Sequence, residues 1–164
     1  MFEEKKLSCG LLILDVEGRV LLQHVSQHNH WDIPKGTQKP GVPETPRETM
    51  NREVFEEIGI DFSPYQLVEI GWLPYNTYKD LWLFMCTVDE SFNLSRLCSQ
   101  KDKFDNNGFE LNLSERHEFV PVEELGDFVC GSLKRLVESE LGDIILREHQ
   151  MLIDGRTQPI RLFN

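Results

Sequence analysis

Glu53, Glu56 and Glu57 stand at i, i+3 and i+4, a spacing that sets three carboxylates on one face of a helix. Carboxylate oxygens are hard donors suited to Mg²⁺ and Mn²⁺, and a cation held by them can activate water or offset charge on a phosphate. Like charges at this spacing destabilise an isolated helix by roughly 0.2–0.5 kcal/mol per pair. Arg52 can offset part of that through Glu48 and Glu56, but it cannot pair with all three. Spacing alone leaves two readings open: a solvated acidic face, or a cluster neutralised by a divalent cation.

The segment that must position these carboxylates is marked at both ends. Thr45 is a good N-cap, Pro46 suits the first helical position, and Glu48 completes a Thr-x-x-Glu capping box. Gly59 supplies the left-handed stop. Met50, Val54 and Ile58 recur every fourth residue and predict one buried stripe on a different face from the acids.

The residues on either side narrow the choice. The run Gly36…Glu44-x₇-Arg52-Glu53-Val54-x-Glu56-Glu57-x-Gly59-Ile60 resembles the Nudix box, G-x₅-E-x₇-R-E-U-x-E-E-x-G-U with U aliphatic, and matches it at every specified position from Glu44 onward. Trp31-Asp32-Ile33-Pro34-Lys35-Gly36 also resembles the usual lead-in. One departure stands out: seven residues separate Gly36 from Glu44 instead of five, as if Val42-Pro43 were inserted. The motif covers Trp31 to Ile60, and at the level of fold the resemblance runs from Leu7 to Leu141.

Upstream, Leu7 to Asp15 is a nearly continuous apolar run, suited to a strand covered on both faces. Glu17-Gly18 makes a turn and Arg19 to Val25 the returning strand. Gly10 either permits a close backbone approach or merely weakens the strand. Ser26 to His30 reads as a loop; His24, His28 and His30 invite a metal reading, but without matching ligand spacing they read rather as solvated or as lining a substrate rim. Trp31 to Pro34 predicts a short strand, and the prolines and glycines of Lys35 to Pro43 predict an irregular loop with free backbone N–H groups.

Downstream, Tyr65 to Tyr75 and Tyr78 to Val88 predict strands joined at Asn76-Thr77, with Trp82 and Phe84 in the core and Trp72, Tyr75 and Tyr78 placed where a base could stack. Asp89 to Asn112, with its Asp105-Asn106-Asn107-Gly108 turn, is long for a plain connection and reads as a specificity loop or a surface insert. Glu115 to Val122 predicts a strand, Glu123 to Leu125 a helical turn, and Ser132 to Leu152 a second long helix through Leu133, Leu136, Val137, Leu141, Ile144 and Ile145. This order predicts one domain, residues 1–164, of α/β (α+β) class: an α/β/α sandwich with a central mixed sheet, which the resemblance also implies.

Composition sets outer limits. The 164 residues suffice for one ordinary core, with 40% hydrophobic and 27% charged residues. A net charge of −11 argues against duplex DNA, whose binding rests on clustered Lys and Arg. Cys9, Cys86, Cys98 and Cys130 are scattered without zinc spacing and read as reduced thiols. The first residues lack a signal-peptide apolar region and no apolar run reaches membrane-spanning length, so the expectation is a cytoplasmic protein with no membrane partner.

What the resemblance implies can be carried over residue by residue. Gly36, Glu53, Glu56 and Glu57 would hold Mg²⁺ (or Mn²⁺), with Gly36 supplying a carbonyl or tight turn and Glu44 a supporting carboxylate. Glu53 and Glu57 would be catalytic and Arg52 would orient a carboxylate. Glu115, or alternatively Glu118, would be the general base from a later loop. Lys35 would meet phosphate, and Tyr75 and Tyr78 would bind the nucleotide. The implied reaction is hydrolysis of a diphosphate linkage in a nucleoside diphosphate derivative, giving NMP plus a phosphorylated remainder. The Pro-Lys-Gly lead-in favours dinucleoside polyphosphates or RNA 5′-pyrophosphate. Pro74, fifteen residues after Gly59, points instead to ADP-ribose or nucleotide-sugar substrates. A non-catalytic nucleotide-sensing domain is the alternative of another class. The expected assembly is a monomer or homodimer acting on a small phosphorylated nucleotide.

Overall fold

Seven of the nine residues of β1 (Lys6–Leu14) are buried, which is the condition of a strand flanked on both edges and covered on both faces. The computed structural model describes residues 5–24, 30–100 and 116–163. Along one edge β1 runs parallel to β6 (Lys79–Thr87) from Lys6↔Lys79 to Leu14↔Thr87. β6 in turn pairs antiparallel with β5 (Val68–Pro74), interrupted by a bulge between Glu69 and Gly71.

The other edge of β1 forks. Leu14 meets Val20 at the start of β2 (Val20–His24), while Ser8, Cys9 and Gly10 meet Thr37, Gly36 and Lys35 of β4 (Lys35–Thr37). β2 diverges from β1 and takes β3 (Trp31–Asp32) and β7 (Arg116–Val120) as its antiparallel partners. The mixed sheet among the described residues therefore has seven strands, ordered β3-β2-β1-β6-β5, with β4 on β1 and β7 on β2.

Alternation sorts the core into two layers. Leu12, Leu14, Leu22, Leu83 and Met85 face Leu133 and Leu136 of α2 (Gly131–Leu136) and Ile145 of α3 (Gly142–Ile153). Cys9, Leu11, Ile13, Leu21, Phe84 and Cys86 face Met50, Val54 and Ile58 of α1 (Pro46–Ile58). This is the expected α/β/α sandwich. Both predicted caps of α1 form: Thr45 Oγ1 accepts the Glu48 N–H at 3.1 Å and Glu48 Oε1 accepts the Thr45 N–H at 3.2 Å. Burying three full side chains at about 1.5–3 kcal/mol each outweighs the few tenths per like-charge pair on the acidic face. Packing thus holds the carboxylates on a helix that their own repulsion opposes.

Three expectations need correction. Lys35–Thr37 is not irregular loop but strand β4, because the free edge of β1 offers pairing partners that outweigh the local Pro and Gly signals. Gly10 makes this contact close: a Cβ there would lie 2.6 Å from Lys35 Cβ and 2.8 Å from the Pro34 carbonyl oxygen. The second long helix is broken into α2 and α3 by a π-helical turn over Val137–Leu141, where Ser139 leaves helical geometry at φ −119°, ψ −116° and its hydroxyl bonds back to the Arg135 and Leu136 carbonyls. Trp82 is only partly buried, its indole N–H donating to Glu69 at 3.0 Å, whereas Phe84 is core. The Asp105–Gly108 turn, His28 and Glu115 lie outside the described residues.

The C-terminus of α1 is closed by the segment after β6. Cys98 N–H donates to the Ile58 carbonyl at 3.1 Å and Gln100 N–H to the Glu56 carbonyl at 2.6 Å. Gly59, at φ 78°, makes the turn that allows this, and a methyl there would lie 2.7 Å from the Cys98 carbonyl oxygen. Gly59→Ala is therefore expected to lower stability by about 1–2 kcal/mol, read as a reduced urea midpoint at unchanged m-value. A midpoint equal to that of the wild type would refute this account of the turn.

Candidate active site

Arg52 is the hub of the acidic face. Its Nε and Nη2 grip Glu44 at 2.8 and 2.9 Å, its Nη1 donates to Glu53 Oε1 at 2.8 Å, and Glu56 Oε1 lies 3.6 Å away. The fork-on-carboxylate pairing with Glu44 is the strong, bidentate kind. It forms despite the two extra loop residues, which are absorbed around Gly41 at φ 73°, while Gln38 Nε2 ties the Glu44 carbonyl at 2.8 Å. Arg52's hydrogen bonds, with a further bond from the Thr49 hydroxyl, hold the Glu44 carboxyl below the usual glutamate range. The same contacts, Glu44 first, push Arg52 further above its ordinary value.

Gly36 lies against Glu53. A Cβ at Gly36 would fall 2.0 Å from both Glu53 Cδ and Oε2, so only glycine admits that carboxylate beside β4. Glu57 reaches into the fork of the sheet, where its Oε2 accepts the Gln23 side-chain amide at 2.6 Å and the Lys35 backbone N–H at 3.1 Å. Glu56 is more open than Glu53, its side chain one-third exposed (34% against 12%). Here four carboxylates, Glu44, Glu53, Glu56 and Glu57, face one guanidinium. The Lys35 ammonium is bound to Asp32 at 2.9 Å, lies 5.8 Å from the centre of the Tyr75 ring, and also feels the Glu57 charge. Burial alone would depress the Lys35 ammonium, but the Asp32 charge and hydrogen bond more than offset it and hold it above its ordinary value.

Among the described residues no three His, Cys, Asp or Glu side chains converge on a ready-made metal cage. The donor set nevertheless fits a hard divalent cation: its members are carboxylates in excess of their cationic partners, one beside a glycine cradle that a side chain would fill. Glu53, Glu56 and Glu57, with Gly36, are the residues that would hold it. A cavity of about 440 Å³ opens beside Glu44, Arg52 and Phe55. A larger one, about 670 Å³, lies across the sheet under Asn76, Ser132 and Arg135 and borders none of these carboxylates.

The remaining expected site residues are placed differently. Tyr75 is 6% exposed, its hydroxyl 2.9 Å from Cys130 Sγ and its acidity suppressed first by burial, then by that bond. Its ring belongs to the α2–α3 layer and lines the cavity of about 670 Å³ there. Tyr78, at 76% exposure on the turn before β6, and Trp72, at 55% on the edge strand β5, remain open. On β7, Glu118 pairs with Leu22 of the α2–α3 layer, so strand alternation sets it on the face away from α1. His117 pairs with Gln23 and shares the α1 face. Gln23 and His117 are the residues that sequence reasoning missed; the available signal was a polar Gln closing the apolar run Val20-Leu21-Leu22.

Fold and site together define an α/β/α sandwich that presents a carboxylate helix at a fork in its sheet. The chain belongs to the Nudix family: residues 4–140 match the model of the NUDIX domain. It is 28% identical over 123 residues to an RNA pyrophosphohydrolase of Methylococcus capsulatus, covering 63% of this chain and 62% of that one. The chain spans about three fifths of the length of the curated relatives it matches. Among solved structures, the NUDIX domain of Shewanella oneidensis NrtR complexed with ADP ribose superposes with a TM-score of 0.57 at 16% identity, over 91% of this chain and 90% of that one. A C. elegans Ap4A hydrolase binary complex gives 0.52 at 19%, over 90% and 98%. At these identities the structural likeness establishes the fold. No helix among the described residues is long and apolar enough to cross a membrane.

The Glu44–Arg52 pair carries a pH signature. Because the folded Glu44 value is depressed, its stabilisation is in full force above the unfolded glutamate value of 4.5 and is lost as pH falls through the folded one. The stability difference between wild type and Glu44→Gln, from urea denaturation, is expected to be widest at neutral pH and to narrow below about pH 4.5. A difference unchanged between neutral pH and about pH 4 would show that the pair contributes no such linkage.

Proposed function

We propose that this chain is a divalent-cation-dependent pyrophosphohydrolase that cleaves a diphosphate linkage in a nucleoside diphosphate derivative, with RNA 5′-pyrophosphate or a dinucleoside polyphosphate as the favoured substrate. The observation that carries this reading is the excess of carboxylates on α1 over the single guanidinium among them, beside a glycine that leaves room at Glu53. The likeness to RNA pyrophosphohydrolases supports the choice of substrate class.

In the proposed mechanism Arg52 orients Glu44 and Glu53, and Glu57 is fixed from β2 and β4. When bound, Mg²⁺ or Mn²⁺ lowers the pKa of water and offsets charge on the diphosphate. Glu115 is proposed as the proton acceptor from the segment ahead of β7. Lys35 can serve a phosphate only by sharing its ammonium with Asp32. Tyr78 is the open aromatic of the original pair and the one proposed to meet the nucleotide. The proposed setting is cytoplasmic, on a small phosphorylated nucleotide, as monomer or homodimer, with neither duplex DNA nor membrane as partner.

A hydrolysis panel with diadenosine polyphosphates, ADP-ribose, nucleotide sugars and 5′-triphosphorylated RNA, with and without Mg²⁺ or Mn²⁺, tests this directly. Release of NMP or pyrophosphate that stops on chelation is expected, and Glu57→Gln or Glu56→Gln should lower the rate about 100-fold or more. Turnover unaffected by both substitutions would contradict the assignment. Cleavage of ADP-ribose alone would favour the nucleotide-sugar branch. Binding without turnover of any substrate would favour a sensing domain.

A further inference from the structure

β2 enters the fork of the sheet as Val20-Leu21-Leu22 and then turns polar at Gln23, which is only 8% exposed. Its backbone is paired on both sides, with Asp32 of β3 and His117 of β7, so the side chain has a fixed origin. Its Nε2 donates to Glu57 Oε2 at 2.6 Å, and the same oxygen accepts the Lys35 N–H at 3.1 Å. The amide must present its NH₂ here, because an ionised carboxylate has no proton to give. Two donors on two diverging strands thus fix one oxygen of a carboxylate that projects from the helix.

Both donors are neutral. Glu44 and Glu53, by contrast, are held by a guanidinium that cancels charge as it orients. A side-chain amide orients Glu57 without adding a positive charge of its own. We infer that Gln23 is a positioning residue: it sets the Glu57 carboxylate for divalent-metal binding without cancelling its charge and without touching substrate. This rests on the metal-dependent reading above and extends it to a residue outside the helix.

The test is Mn²⁺ binding to the protein alone, followed by the electron paramagnetic resonance of free Mn²⁺, on the wild type, Gln23→Met, Gln23→Lys and Glu57→Gln, each checked for folding by its urea midpoint. Gln23→Met keeps length and apolar volume but removes the donor; it should weaken Mn²⁺ binding about 10- to 100-fold. Gln23→Lys restores a donor but adds a positive charge, and it should bind Mn²⁺ no better than Gln23→Met. With substrate, both variants should require more Mg²⁺ for half-maximal rate, while KM at saturating Mg²⁺ stays within about twofold of wild type. Wild-type Mn²⁺ affinity in Gln23→Met would overturn the role of Gln23 and leave the hydrolase reading standing, provided Glu57→Gln still loses the metal. Wild-type affinity in Gln23→Lys would overturn the requirement for a neutral donor. A wild-type protein that binds no Mn²⁺ would remove the metal-dependent reading, and Gln23's role with it.

Discussion

The constraint on which this molecule turns is the fork at one edge of β1. A strand can satisfy only one neighbour at each position of an edge, yet β1 gives Leu14 to β2 and Ser8 through Gly10 to β4. The two partners therefore part, and polar groups that an unbroken ladder would consume are left facing the gap. The Lys35 N–H is one of them and turns to Glu57, where the Gln23 side-chain amide joins it. A carboxylate in that position repairs the sheet and takes its orientation from it. The price in local repulsion on α1 is met by the stripe Met50, Val54 and Ile58, buried against the same sheet.

This arrangement separates two ways of handling negative charge. Around Arg52 the carboxylates are neutralised: Glu44 is gripped at two oxygens and Glu53 at one. At the fork Glu57 takes its orientation from two uncharged donors, the Gln23 amide and the Lys35 N–H. Between them Glu56 sits nearer solvent, 3.6 Å from the guanidinium. The site thus grades from a closed ion pair, which acts as a buttress, to an open anionic end. Gly36 lies beside Glu53, where the two regimes meet, and its lack of a side chain is what lets that carboxylate pack against β4.

How much of this could be read in the chain follows from the range of the forces involved. The helix over Pro46–Ile58 was legible because its caps, stripe and stop are all local, and each formed where the residues indicated. β1 and β6 were legible because burial on both faces leaves an unbroken apolar run. β4 was not, since Pro34 and Gly36 speak locally for a loop while its hydrogen bonds come from residues nearly thirty positions earlier. The break at Ser139 escaped because apolar spacing continues through it from Val137 to Leu141 and Ile145. Of the site, the box residues were legible and their partners were not. That Glu118 faces away from α1 and His117 toward it depends on the register between β7 and β2, which a one-residue slip would reverse. That the Tyr75 hydroxyl meets Cys130, 55 positions later, was equally beyond local signals.

The lysine of the lead-in carries the same lesson into electrostatics. Read along the chain, Lys35 is a loose cation next to a phosphate site. In the fold it has two separate roles, divided by the pleat of β4. Its backbone N–H belongs to the α1 side and serves Glu57. Its side chain crosses to the α2 side, pairs with Asp32 and lies near the Tyr75 ring. Its positive charge is thus held first by Asp32 and only then acts on Glu57. Arg52 is shared among Glu44, Glu53 and Glu56, and Lys35 between Asp32 and the field of Glu57. Four carboxylates thus share two cationic side chains, a donor set of the kind a small hard cation prefers.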